Sequence, residues 1–179
     1  MRDRLTVGLQ ILDLRIGVRI PVPQLKFMNT KKVEYHKVVD ILIFNNRNEL
    51  ALQMRSANDK SFPSHWDFSV GGHVDKNEED NKAAEREISE ELGIIGKIVF
   101  ISKEHFQYPD WNHTILREVD ASIYKMVHNG PFEINKDEVM KIKSFKLLDI
   151  QKIIDAGEKF HPEFLLVWKR GVVLLAINN

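Results

Sequence analysis

From Val38 to Phe44 the chain runs VVDILIF, apolar at every position except Asp40. A continuous apolar run of this length predicts a central strand buried on both faces. Asn45-Asn46-Arg47-Asn48 is turn chemistry, and Leu50–Arg55 predicts the returning strand of a hairpin. Residues 56–65 predict a loop, and residues 66–71 a short strand. The period then changes. Ala84, Ile88 and Leu92, spaced i, i+4, i+8, line one side of a helix at about 100° per residue, and that side can bury against a sheet. Gly93 suits the left-handed residue that ends such a helix. Residues 97–103, 114–126 and 140–148 read as strands, and residues 149–156 and 162–175 as helices, the last opened by Pro162 in its first turn. Residues 5–20 alternate weakly and predict one or two strands ended by Pro21-Val22-Pro23, while the polar residues 24–34 predict no element. Helices packed on a mixed sheet make an α+β fold.

Composition narrows the function more than the fold. At 179 residues the chain is expected to form one domain with a real core. It carries 26 basic and 26 acidic residues, so no global field favours nucleic acid or an anionic membrane. The absence of cysteine excludes disulfides and thiol catalysis and fits a reducing compartment. No stretch approaches 18 uninterrupted apolar residues, and no signal-peptide plan opens the chain, so a soluble, cytoplasmic protein is expected.

Charge is nevertheless concentrated. Between Asp75 and Glu91 there are eight acidic and three basic residues, a local balance of −5. Helical spacing gathers Glu87, Glu90 and Glu91 on one arc beside the apolar side, where like charges cost roughly 0.2–0.5 kcal/mol per pair. Arg86 can pair with Glu90 and offset part of this. A hard cation would offset far more, because Mg²⁺ and Mn²⁺ take carboxylate oxygens and keep water and phosphate as remaining ligands. Gly71-Gly72 lets backbone approach such a site closely. The plainer alternative is a solvated acidic helix face.

The stretch GHVDKNEEDNKAAEREISEELGI, Gly72–Ile94, decides between them. Gly72, Glu78, Arg86-Glu87-Ile88, Glu90-Glu91 and Gly93-Ile94 fall at the spacing of the Nudix box, which this segment resembles at every position. A chance match is on the order of one in ten million at ordinary residue frequencies. The likeness continues through His36–Phe44, Gln53-Met54-Arg55-Ser56, Lys60-Ser61-Phe62-Pro63, Trp66-Asp67, Ser69–His73 and Ile134–Met140, covering roughly residues 36–170. It implies an α/β/α sandwich with a mixed sheet, a Nudix domain over residues 36–179, and an N-terminal extension over residues 1–35. Within the family these segments are similar to the branch of isopentenyl-diphosphate isomerases and related hydrolases. Three departures separate the chain from the isomerases. Gly71 stands where they carry a catalytic cysteine, two residues ahead of His73. Glu87, Glu90 and Glu91 are all kept, whereas isomerases tend to lose box carboxylates. His36, His73 and Glu118 match part of the isomerase metal set, but Leu116 occupies the place of its second glutamate.

The resemblance therefore implies metal-dependent hydrolysis of a diphosphate linkage in a small molecule, with nucleoside diphosphate derivatives leading. Isomerase-like activity and a catalytically silent sensing module are the alternatives. An RNA-decapping role lacks a basic stripe to support it. Metal ligands are expected from Glu87, Glu90, Glu91 and the Gly71 carbonyl, holding Mg²⁺ or Mn²⁺. The family draws its general base from the box or from a later loop, so Glu90, Glu118 and Glu138 are all candidates. Arg86 is expected to fix the helix against its loop through Glu78. Arg55, Lys60 and Trp111 are candidate substrate contacts, with Tyr108 and His113 in the same specificity connection as Trp111. Trp66 and Phe68 are expected in the core. The apolar segment Phe160–Ile177 belongs to the core or to a homodimer surface.

Overall fold

The computed structural model describes residues 32–178 and contains seven strands and four helices there: β1 Val33–Phe44, β2 Leu50–Arg55, β3 Trp66–Asp67, β4 Val70–His73, α1 Asp80–Leu92, β5 Ile98–Pro109, β6 Leu116–Val127, β7 Val139–Phe145, α2 Leu147–Asp155, α3 Pro162–Lys169 and α4 Val172–Asn178. The strands expected within residues 5–20 lie outside the described residues.

The apolar run becomes β1, the centre of a mixed sheet. β1 pairs in parallel with β6 along its whole length and antiparallel with β4 and β2 on its other edge. Its alternate side chains feed two separate cores, which is why apolar residues follow one another from Val38 to Phe44 with Asp40 as the one interruption. Val38, Leu42 and Phe44 pack with Phe164, Val167 and Trp168 of α3. Val39, Ile41 and Ile43 pack with Ala83, Ala84, Ile88 and Leu92 of α1. Helices thus cover both faces, the α/β/α sandwich expected. Each such Val, Leu, Ile or Phe, once fully buried, contributes roughly 1.5–3 kcal/mol.

Two expected elements are divided. The strand predicted over residues 66–71 is two strands, because the chain changes partner at Phe68–Ser69. β3 pairs with β2, and β4 pairs with β1. Ser69 pins the crossing, accepting from the Ile43 N–H and donating to the Ala51 carbonyl. The helix predicted over residues 162–175 breaks at Gly171, whose φ of 73° ends one helix before α4 begins. Both pieces still line the core, with Phe164, Val173 and Ala176 all but fully buried. Trp66 and Phe68 are likewise core residues. β5 runs six residues beyond the strand predicted for it and stays paired with β6 as far as Pro109↔Leu116. No helix among the described residues is long and apolar enough to cross a membrane.

Candidate active site

The box begins as a loop held by a clamp. Arg86 donates from Nε and Nη2 to the two Glu78 oxygens, at 3.0 and 2.9 Å, and from Nη2 to the His73 carbonyl. Glu78 also accepts from the Asp75 N–H. The Arg86 bond leads in holding the Glu78 carboxyl down to about 2. The guanidinium therefore has the expected structural duty, and it fixes α1 against the loop that precedes it. Gly93, at φ 63°, closes the helix and donates to the Ser89 carbonyl.

α1 then presents its carboxylates towards β4. Gly72 leaves the room: a Cβ there would stand 2.0 Å from Glu87 Cδ. Glu91 is 3% exposed, accepts from Gln53 Nε2 at 2.9 Å, and has the Gly71 N–H 3.4 Å from its other oxygen. The loop before β7 delivers a third carboxylate. Asn135 donates its N–H to the Glu91 carbonyl and its side-chain amide to Glu138 Oε1. One carboxylate oxygen from each of Glu87, Glu91 and Glu138 lies within 4.8 Å of the others. Burial raises the Glu87 carboxyl against the opposing pull of Arg86. Burial, then Glu87 and Glu138, raises Glu91 further. Three acids held this closely, two of them buried, with only oxygen donors, fit a hard divalent cation.

The remaining candidates are distributed around this group. Glu90 is half exposed and shares Arg86 Nη1 with Glu87. Gly71 lies beside Glu91 and pairs with Asp40 of β1. Glu118 is elsewhere on β6, opposite Tyr35 and Gln107, with its carboxylate 3.4 Å from His105 Nε2. Arg55 is already engaged, bonding the Ser61 carbonyl, Asp67 and Asp59. Lys60 is exposed on the loop that follows. Trp111 is 41% exposed and packs edge-on against Phe62 and His65. His36 and His73 contact each other, with ring nitrogens 3.0 Å apart.

Behind Gly71-Gly72 opens a cavity of about 260 Å³. Asp40 and Glu163, 4% and 5% exposed, line it together with Asp67, Tyr108, Arg117 and His161. Tyr108 donates its O–H to Glu163 Oε2 at 3.1 Å. Burial, followed by Asp67, pushes the Glu163 carboxyl up to about 7, and burial, followed by Glu163, pushes Asp40 well above its ordinary range. Burial also pushes the His161 imidazole down to about 4. One signal for this cavity was present in the sequence: Asp40 interrupts an otherwise apolar strand.

Comparison with known proteins gives this geometry a family. The model of the NUDIX domain matches residues 34–166. An uncharacterised Nudix hydrolase of Listeria monocytogenes, lmo0368, is 42% identical over 140 residues, which is 74% of this chain and 76% of that protein. Among solved structures, DR0079 from Deinococcus radiodurans superposes with a TM-score of 0.65 at 21% identity, covering 82% of this chain and 88% of that one. The NUDIX domain of Shewanella oneidensis NrtR, crystallised with ADP ribose, superposes with a TM-score of 0.60 at 16% identity, covering 77% and 86%. At these identities the two structures speak for the fold alone.

Proposed function

The chain belongs to the Nudix family, and on that premise we propose that it is a pyrophosphohydrolase whose substrate is a nucleoside diphosphate derivative, working with Mg²⁺ or Mn²⁺ on the Glu87–Glu91–Glu138 group. The observation carrying this reading is the convergence of those three carboxylates beside Gly72, whose missing side chain leaves room for Glu87. When bound, the cation supplies positive charge against the diphosphate oxygens and eases deprotonation of a neighbouring water. Glu91, bonded to Gln53, keeps a fixed direction. Glu87 is set by Arg86 on one side and the missing Gly72 side chain on the other. Glu90, held by the same Arg86 nitrogen, is the fourth carboxylate and the ligand we assign to a second cation, with the Gly71 carbonyl as a backbone ligand. Glu138 is exposed, sits on a loop and joins the group, so we assign it the proton-accepting role in preference to Glu118.

The ADP ribose held by the NrtR domain makes that ligand the first substrate to try. Isomerase-like activity is disfavoured because Gly71 stands where the resemblance places the isomerase cysteine and the chain carries no cysteine at all. The test is phosphate release from ADP-ribose, nucleoside di- and triphosphates, dinucleotides, sugar nucleotides and isopentenyl diphosphate, with Mg²⁺ and Mn²⁺ in turn and a coupled phosphatase where needed. Metal-dependent release that disappears in both Glu90→Gln and Glu91→Gln is expected. Intact metal binding without release from any compound would overturn the hydrolase reading.

A further inference from the structure

The described residues include five arginines, and four of them are bonded to carboxylates. Arg47 pairs with Glu49, Arg55 with Asp59 and Asp67, Arg86 with Glu78, Glu87 and Glu90, and Arg170 with Glu104. Arg117 is the exception. Among the described residues its guanidinium has no hydrogen bond or ion pair, and its Nε is buried without a partner. A guanidinium is always charged, and folded proteins satisfy the large majority of buried polar side-chain atoms. This one is therefore placed for a ligand oxygen.

Arg117 also lines the cavity behind Gly71-Gly72. On β6 it stands across from Tyr108 of β5 and Glu34 of β1, whereas Gly71 stands across from Asp40, farther along β1. The guanidinium thus enters from the end opposite the Asp40–Glu163 acids. Neighbouring acids are already taken: Lys32 holds Glu34, Arg55 holds Asp67, and Tyr108 bonds Glu163. His36 lines the cavity beside Arg117, with its Nε2 buried and without a hydrogen-bond partner. Burial, followed by the Arg117 charge, lowers the His36 imidazole, so Arg117 is the fixed positive charge at this end.

We infer that Arg117 is a specificity-determining residue that binds a second oxyanion, a phosphate monoester or a carboxylate, carried by the substrate apart from its diphosphate. This rests on the hydrolase reading above and adds a charge requirement to it. Glu87, Glu91 and Glu138 do not line the cavity. The diphosphate charge is met by the cation assigned to them, which leaves Arg117 for another anion. Its planar fork matches two oxygens of a carboxylate or phosphate. A neutral hydroxyl in the same place would accept from the guanidinium and leave its charge unanswered.

Two matched pairs of ligands test this by calorimetric titration without divalent cation, so that no turnover intervenes. ADP-ribose is compared with ADP-ribose carrying a 2′-phosphate, and UDP-glucose with UDP-glucuronic acid. The wild-type protein is expected to bind the more anionic member of at least one pair about tenfold more tightly or better. A preference in the first pair assigns Arg117 to a phosphate monoester, and one in the second to a carboxylate. Arg117→Gln should erase the preference and leave the affinity for the less charged member unchanged. Arg117→Lys, which keeps the charge without the fork, is the second variant and should weaken the favoured ligand alone, by about threefold or more. Wild-type protein without a preference in either pair overturns the proposal. So does a preference that survives Arg117→Gln, or an equal loss for both members of a pair, which would make Arg117 structural. A protein that shows the preference but hydrolyses no diphosphate loses the hydrolase reading and keeps the Arg117 assignment. One that hydrolyses diphosphates without the preference loses the Arg117 assignment alone.

Discussion

Glu91 and Glu163 are 3% and 5% exposed and lie on opposite sides of the Gly71-Gly72 backbone, yet their neighbours differ in kind. Around Glu91 stand two further carboxylates, a Gln53 amide donor and, through Glu87, the Arg86 guanidinium, with Glu138 open to solvent. Every group there is placed to keep charge once a cation arrives. Glu163 faces Asp40 and a tyrosine hydroxyl, and among the described residues no cationic side chain is bonded to either acid. The second arrangement relieves burial by holding a proton. Burial alone therefore assigns no role to a carboxyl; the partners available to its charged form do.

The sharpest break in this comparison is Glu91→Gln. On the cation side, loss of one buried ligand should lower phosphate release by at least about 100-fold. The metal-free variant should melt no lower than the parent, because a raised buried carboxyl has been replaced by a neutral amide. A variant that retained turnover would remove Glu91 from the site. Gly72→Ala acts on the same side through space. The added methyl would collide with Glu87, a flexible side chain able to swing away. Turnover should fall about tenfold or more with weaker Mg²⁺ binding, while melting changes little. Unaltered kinetics would mean that Glu87 need not lie over Gly72.

On the proton side the informative readout is stability against pH. The Glu163 carboxyl is raised from 4.5 to about 7 in the folded protein. Between those values the folded state binds more protons than the unfolded state. The residue's stabilising contribution is thus complete below about pH 4.5 and lost as pH rises through about 7. Gln cannot lose a proton, so the stability of Glu163→Gln relative to the parent should rise by about 2–3 kcal/mol from pH 5 to pH 8. Urea denaturation at the two pH values measures this. A pH-independent difference would show that Glu163 is not held protonated by its surroundings.

The two sides also differ in how far they could be read from the sequence. Glu87 and Glu91 sit four residues apart on one helix, so spacing alone brings them together, and Arg86, Glu78 and Gly93 occupy the same contiguous segment. Glu138 needed the structure to join them, because its approach depends on Asn135 bonding the end of α1. The cavity gathers Asp40 from β1, Asp67 from β3, Tyr108 from β5, His161 from a loop and Glu163 from α3, and no local pattern relates those five positions. The fold follows the same rule. β1 was legible because both of its faces are covered and its run from Val38 to Phe44 is apolar at every position but Asp40. The division between β3 and β4 was not, because it depends on Ser69 exchanging one partner strand for another. The last helix broke where a glycine offered a left-handed residue, a break that apolar periodicity on both sides concealed.

Glu118 and Glu138 give the smallest and most discriminating contrast, since both were eligible as base from the sequence. Glu118 has a nearby imidazole in His105, and it belongs to a row of exposed or half-exposed polar side chains that includes Tyr35 and Asp120. Glu138 has an Asn135 amide bond and the two box carboxylates. Glu138→Gln is expected to reduce turnover by about 30-fold or more, within the range for general acid–base groups, and Glu118→Gln by less than about threefold. Steady-state phosphate release under saturating Mg²⁺ compares them directly, because saturation separates loss of a proton acceptor from weakened cation binding. The reverse order would move the base to β6 and leave Glu138 a cation ligand only. In that event Glu87, Glu91 and Glu138 would serve charge alone, and proton transfer would come from a strand residue outside their group.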